Sequence, residues 1–326
     1  MSNFLGNISL ALKLKLGIVP STLAYESKLK KIWEDVEFFR EFSKGNLLKE
    51  YEELEKARHT SKEEQRNAKI RIKEITQSES WKKYEKLKKS SAFASYLKLE
   101  TTFEDDFNGE KVDENKWLTK FFWGETLLGK GYSHSEEFHN YTEGENLEVK
   151  NSNLIIRTSE EESTSLSWNK KYGFLSRKSG FTSGIVNTGK SFRQQYGRFE
   201  AKISFKHTDG VYNAFWMVGN SASPHLNIFK VSQNLELGLI NGPKENNQSK
   251  VSRNLLKEGS YIVGIDWNKK EIKWLLNGTV VKKTTTNLPD SPLYLVFSSG
   301  VYKNTSIKAK ESNEFLIDWV RCFKTN

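Results

Sequence analysis

Sulfur and proline are scarce in this chain, and each scarcity excludes something. One cysteine in 326 residues, Cys322, rules out an intramolecular disulfide and fits folding in a reducing compartment. The five histidines, at 59, 134, 139, 207 and 225, show no metal-ligand spacing. No Walker or Rossmann glycine pattern is present, and the lone cysteine has no nucleophile context. The apolar stretch over residues 4–24 is interrupted by Lys13 and Lys15 and leads to no small-residue cleavage site, so neither a signal peptide nor a membrane span is expected. Synthesis in the cytoplasm follows. The formal charge of +10 has no helix-turn-helix, RNP or zinc motif beside it, and its one dense run, residues 82–89, reads as a solvated helix face. A nucleic-acid partner is not expected.

What is present falls into two materials. Only five prolines occur, and none lies between Ser21 and Leu99, where Lys, Glu, Leu and Ala dominate; residues 1–100 read as a basic helical region. A short repeat runs through it: Gly45, Leu48, Tyr51, Leu54; then Ser78, Trp81, Tyr84, Leu87; then Ser90, Phe93, Tyr96, Leu99. Spacing by three makes each unit a skewed apolar stripe, and Ser78 and Ser90 are candidate helix N-caps. Such stripes need a partner, which can be one another, the rest of the chain or a second protein, so docking or self-association through residues 1–100 is one expectation.

After residue 100 the pattern changes to period two. Runs such as 198–205 and 271–276 alternate apolar and polar between Gly, Asn, Asp and Ser clusters, and Asn277-Gly278 is a type I′ hairpin signal. Residues 101–326 are expected to form one all-β domain, a two-sheet sandwich or jelly roll.

The motifs in that region occur in a distinctive order. Phe103-Glu104-Asp105-Asp106-Phe107-Asn108-Gly109 precedes Asp113 and Trp117. Asn140-Tyr141-Thr142 follows, then Thr182-Ser183-Gly184-Ile185-Val186-Asn187-Thr188, Tyr196-Gly197-Arg198-Phe199-Glu200-Ala201 and Asn213-Ala214-Phe215-Trp216-Met217-Val218-Gly219. The series resembles the family 16 glycoside hydrolases, the laminarinase and lichenase group with a concanavalin A-like β-jelly roll. The helical region carries no such resemblance. The family's strand signature, Glu-(Ile/Leu)-Asp-(Ile/Phe)-x-Glu after a proline, aligns with Pro224-His225-Leu226-Asn227-Ile228-Phe229-Lys230. His225 then stands at the nucleophile position, Asn227 at the helper aspartate and Lys230 at the acid/base. Lys230 shares the face of His225 and Asn227 only if a bulge adds a residue, and the family has one there.

A retaining glycosidase needs two carboxyl groups roughly 5 Å apart, and histidine, asparagine and lysine cannot supply them. The expectation is a pseudoenzyme, a structural or binding module. One alternative is a lectin-like glycan receptor with a floor of Trp216, Tyr212, Trp123, His225 and Asn227. Another is an active endo-glycanase using displaced acids, Glu236 among them. The resemblance also implies a structural calcium at Asp318, against the plainer reading of a surface aspartate in a closing strand; no other cofactor is called for. Meeting a glycan without a signal peptide would require exit in a virion or other exported assembly.

Overall fold

The computed structural model describes residues 10–58, 60–242, 246–302 and 313–325. His59 lies outside the described residues. Two compact units emerge, one a β-unit containing Thr101–Lys324 with the chain up to Thr22, the other a helical unit, Leu23–Glu100. The division near residue 100 matches the change in sequence pattern. The expectation of a single helical region over residues 1–100 needs correcting at its start. Helix α1 (Leu10–Lys15) belongs to the β-unit: Leu10 joins the sandwich core, and the buried Lys13 donates to the Val280 carbonyl at 2.8 Å.

The helical unit contains α2 (Thr22–Lys44), α3 (Asn46–Lys56), α4 (Lys62–Gln77), α5 (Glu79–Lys88) and α6 (Ser91–Leu97). Its repeats start at helix caps. Gly45, Ser78 and Ser90 are the N-caps of α3, α5 and α6; the Ser78 hydroxyl accepts from the Trp81 N–H and the Ser90 hydroxyl from the Phe93 N–H, both at 3.2 Å. The stripes then bury against one another and against α2. Phe39 stacks on Tyr84 (4.8 Å) and packs on Phe93 (5.4 Å), and Tyr51 packs on Trp81 (4.3 Å). Each aromatic so buried contributes on the order of 2–3 kcal/mol of transfer free energy. Within the basic run, Lys82 pairs with Glu79, Lys83 with Asp35, and Lys88 and Lys89 with Glu85.

The β-unit has strands β1 (Leu99–Asp105), β2 (Tyr132–His134), β3 (Asn140–Tyr141), β4 (Leu147–Lys150), β5 (Asn153–Asn169), β6 (Gly173–Ser183), β7 (Ile185–Asn187), β8 (Gly197–Phe205) and β9 (Val211–Val218). Beyond them come β10 (His225–Val231), β11 (Asn234–Ile240), β12 (Asn246–Ser252), β13 (Gly259–Trp267), β14 (Ile272–Leu276), β15 (Thr279–Thr284), β16 (Tyr294–Val301) and β17 (Asn313–Thr325), with helix α7 (Phe122–Leu128) between β1 and β2. One sheet of six strands runs β12-β11-β10-β9-β16-β7, and a second of eleven has the path β15-β14-β13-β8-β17-β5-β6-β3 with β1, β2 and β4 at its sides. Period two decides what lies between them. Phe215, Met217, Leu226, Leu295 and Phe297 enter the core with Phe199, Ile203, Trp274 and Phe315, whereas Ala214, Trp216, Val218 and Ser298 face the other way. Asn277 and Gly278 both have positive φ (44° and 72°), as a type I′ turn requires, and the Asn277 amide donates to the Pro20 carbonyl at 2.9 Å and holds the N-terminal segment against the hairpin.

Candidate functional site

Strand β10 is central in the six-stranded sheet, between β9 and β11, and its pairing with both neighbours slips between Asn227 and Lys230. This is the bulge expected from the spacing. His225 lies opposite Val218, Asn227 opposite Trp216 and Lys230 opposite Ala214, so all three project from one face while Leu226, Ile228 and Val231 enter the core. They line a cavity of about 200 Å³ with Trp123, Glu137, Tyr212, Trp216 and other residues. The structure therefore brings together every residue expected in the binding floor.

The individual side chains depart from a simple aromatic platform. The His225 ring stacks on Trp216, with centroids 4.6 Å apart and planes inclined by 22°, and its Nε2 donates to Asn227 Oδ1 at 3.0 Å. Burial pushes the His225 pKa down to about 4, and the charge of Lys230 adds to the effect, so the imidazole is neutral near pH 7. The Trp216 indole donates to Ser298 Oγ at 3.1 Å, and the Trp274 indole fixes the floor from beneath by donating to the Asn227 carbonyl at 2.8 Å. Lys230 Nζ sits over the rings of Tyr212 (5.2 Å) and Tyr302 (4.8 Å).

Tyr212 needs a correction, because it is 7% exposed and not an open stacking face. Its hydroxyl is tied 2.6 Å from that of Tyr141 and donates to Glu137 Oε1 at 3.1 Å. Burial raises the pKa of both tyrosines well above the phenol range.

Glu137 is the residue that sequence reasoning missed. Among the described residues lining the cavity it is the sole carboxylate. Tyr212 donates to its Oε1, the Tyr141 hydroxyl lies 3.3 Å from the same oxygen, and the His134 N–H donates to Oε2 at 2.8 Å. Its loop is held by Arg177, whose guanidinium donates to the carbonyls of His134 (3.0 Å), Glu137 (2.7 Å) and His139. His139 is fully buried behind it; Nδ1 accepts from the Val301 N–H, which leaves the proton on Nε2, 4.0 Å from Glu137 Oε1. Nothing in Ser133-His134-Ser135-Glu136-Glu137 marks which acid turns inward.

Glu236 lies outside this lining: it sits opposite Lys230 on β11 and pairs with Lys250 at 3.1 Å. Asp318, on β17, pairs with Lys202 at 2.9 Å. Among the described residues no three His, Cys, Asp or Glu side chains form a group able to hold a metal ion, and no helix is long and apolar enough to cross a membrane.

No family model matches the chain. It is similar to an endo-1,3-1,4-beta-glycanase, ExsH, of Rhizobium meliloti (strain 1021), with 22% identity over 247 residues, 69% of this chain and 52% of that protein. The chain spans about half the length, or less, of the curated relatives it matches. Among solved structures, the catalytic domain of an endo-1,3-beta-glucanase (laminarinase) from Thermotoga petrophila RKU-1 superposes with a TM-score of 0.54 at 19% identity, covering 70% of this chain and 98% of that one. SCLam, a non-specific endo-beta-1,3(4)-glucanase from family GH16, gives 0.57 at 19% identity, covering 70% and 92%. The fold of the β-unit is theirs.

Proposed function

We propose that this chain, whose β-unit carries the jelly roll of the family 16 glycanases, binds a glycan in the β10 cleft and does not hydrolyse it. The observation that carries the reading is the floor itself. The bulge that aims three side chains into the cleft is intact, yet the side chains it aims are His225, Asn227 and Lys230. Both halves of a retaining mechanism need a carboxyl group, one to attack and one to protonate the leaving oxygen. Glu137, the carboxylate on the wall, already accepts from the Tyr212 hydroxyl and the His134 N–H and has no second acid among the described lining residues. The stacked Trp216 and His225 pair offers an aromatic edge to a pyranose, and Asn227 offers an amide beside it.

The test is retention on insoluble polysaccharides by the wild type and Trp216→Ala, with reducing ends assayed in the same samples. Retention lost in the variant and no sugar released supports the reading. Sugar release abolished by Glu137→Gln would instead establish a hydrolase using a displaced acid. Failure to retain any polysaccharide would leave the cleft without a glycan.

A further inference from the structure

We infer that the glycan carries an anionic substituent, a uronate carboxylate or a sulfate ester, held by Lys230 and Asn227; the inference rests on glycan binding at this cleft. An ammonium has three donors and no acceptor, and a primary amide has two donors and one acceptor. The acceptor of Asn227 is used by His225. The Asn227 Nδ2 makes no hydrogen bond among the described residues, and Lys230 Nζ makes neither a hydrogen bond nor an ion pair there, only contacts with the Tyr212 and Tyr302 rings. Glu137, the carboxylate of the same cavity, makes no ion pair with Lys230 among the described residues and is approached instead by the Tyr141 and Tyr212 hydroxyls and the His134 N–H. At these two positions the floor therefore offers donors and one full positive charge. A neutral hydroxyl can accept from these donors through its lone pairs. A carboxylate or sulfate oxygen only accepts, and it gains the charge-assisted bond.

Two carboxylates stand nearby, Glu137 in the same cavity and Glu236 opposite Lys230 on β11, but neither pairs with the ammonium, and Glu236 pairs with Lys250. His225 is neutral, so it does not compete for the anion, and the ring faces of Tyr212 and Tyr302 hold the ammonium without neutralising it. Where the family resemblance would place an acid, the chain has the one cation that lines the described cavity. The other charges of the chain sum to a diffuse excess, which the test must separate from this contact.

The experiment is affinity electrophoresis of the full chain through gels containing polygalacturonate, a carrageenan or neutral laminarin, at two salt concentrations. Variants are Lys230→Gln, Lys230→Arg, Trp216→Ala and, as an equal charge change at an exposed site, Lys170→Gln; circular dichroism checks folding. The expected result is that at least one anionic polymer is bound about tenfold or more tightly than laminarin. Lys230→Gln then loses about tenfold and most of the salt dependence, Lys230→Arg keeps most of the affinity, and Lys170→Gln changes little. Which polymer is retained distinguishes carboxylate from sulfate. Laminarin bound equally well, with Lys230→Gln unaffected but Trp216→Ala weakened, would overturn the anion and leave the glycan reading standing. Equal losses in Lys170→Gln and Lys230→Gln would overturn it in favour of diffuse charge. No binding to any polymer would overturn both.

Discussion

His225 is held against Trp216 as a neutral ring, and that makes it sensitive to acid. Its folded pKa, about 4, lies below the ordinary histidine value of 6.5. A depressed pKa means that the fold favours the neutral form. The stabilisation is complete above about pH 6.5 and is lost as the pH falls toward 4, on the order of 3 kcal/mol in all. Urea unfolding of the wild type and His225→Gln at pH 7 and pH 4 is expected to show a steeper loss for the wild type; parallel losses would mean the ring is not desolvated. Arg177 works at the same scale but through the backbone. Arg177→Met strips donors from three carbonyls of the 134–139 loop, with an expected cost of about 3 kcal/mol or more in denaturant unfolding, and weaker glycan retention as Glu137 shifts. His225, Asn227 and Lys230 were legible in sequence because they share one strand, β10, with a known spacing. Glu137 was not, because its direction is set by an arginine 40 residues away on another strand.

Elements were most legible where a local rule has one outcome. Ser78 and Ser90 cap helices because a serine hydroxyl reaches the N–H three residues on, and Asn277-Gly278 turns as it does because both residues tolerate positive φ. Ser90→Ala is expected to cost about 1 kcal/mol, seen as faster amide exchange in α6; unchanged exchange would show that packing of Phe93 alone holds the turn. Glycine 197 is a second such point. Its φ is +118°, and a Cβ there would lie 2.1 Å from the Phe323 carbonyl oxygen, so Gly197→Ala should part β8 from the end of β17 and cost more than about 2 kcal/mol in denaturant unfolding. Helix α1 was the element read least well. Its amphipathic sequence satisfies the helix rule, but nothing local states that Leu10 and Lys13 are answered by the core and by the Val280 carbonyl, 267 residues beyond Lys13.

At the scale of the molecule, two materials visible in composition became two units, and the order of motifs anticipated the sandwich. The helical stripes pack in part on one another and on α2, through Phe39, Tyr84, Phe93, Tyr51 and Trp81. The proposed site lies in the β-unit, where a hydrolase-like fold presents a charged, aromatic floor with Glu137 as the one carboxylate among the described lining residues. The central claim is binding without cleavage. It is tested most directly by incubating the full chain with the polysaccharide it retains best and following reducing-end release beside retention, with Trp216→Ala in parallel. The account predicts retention that depends on Trp216 and no release above the buffer blank. Sustained release of reducing ends by the wild type, lost in Glu137→Gln, would contradict it.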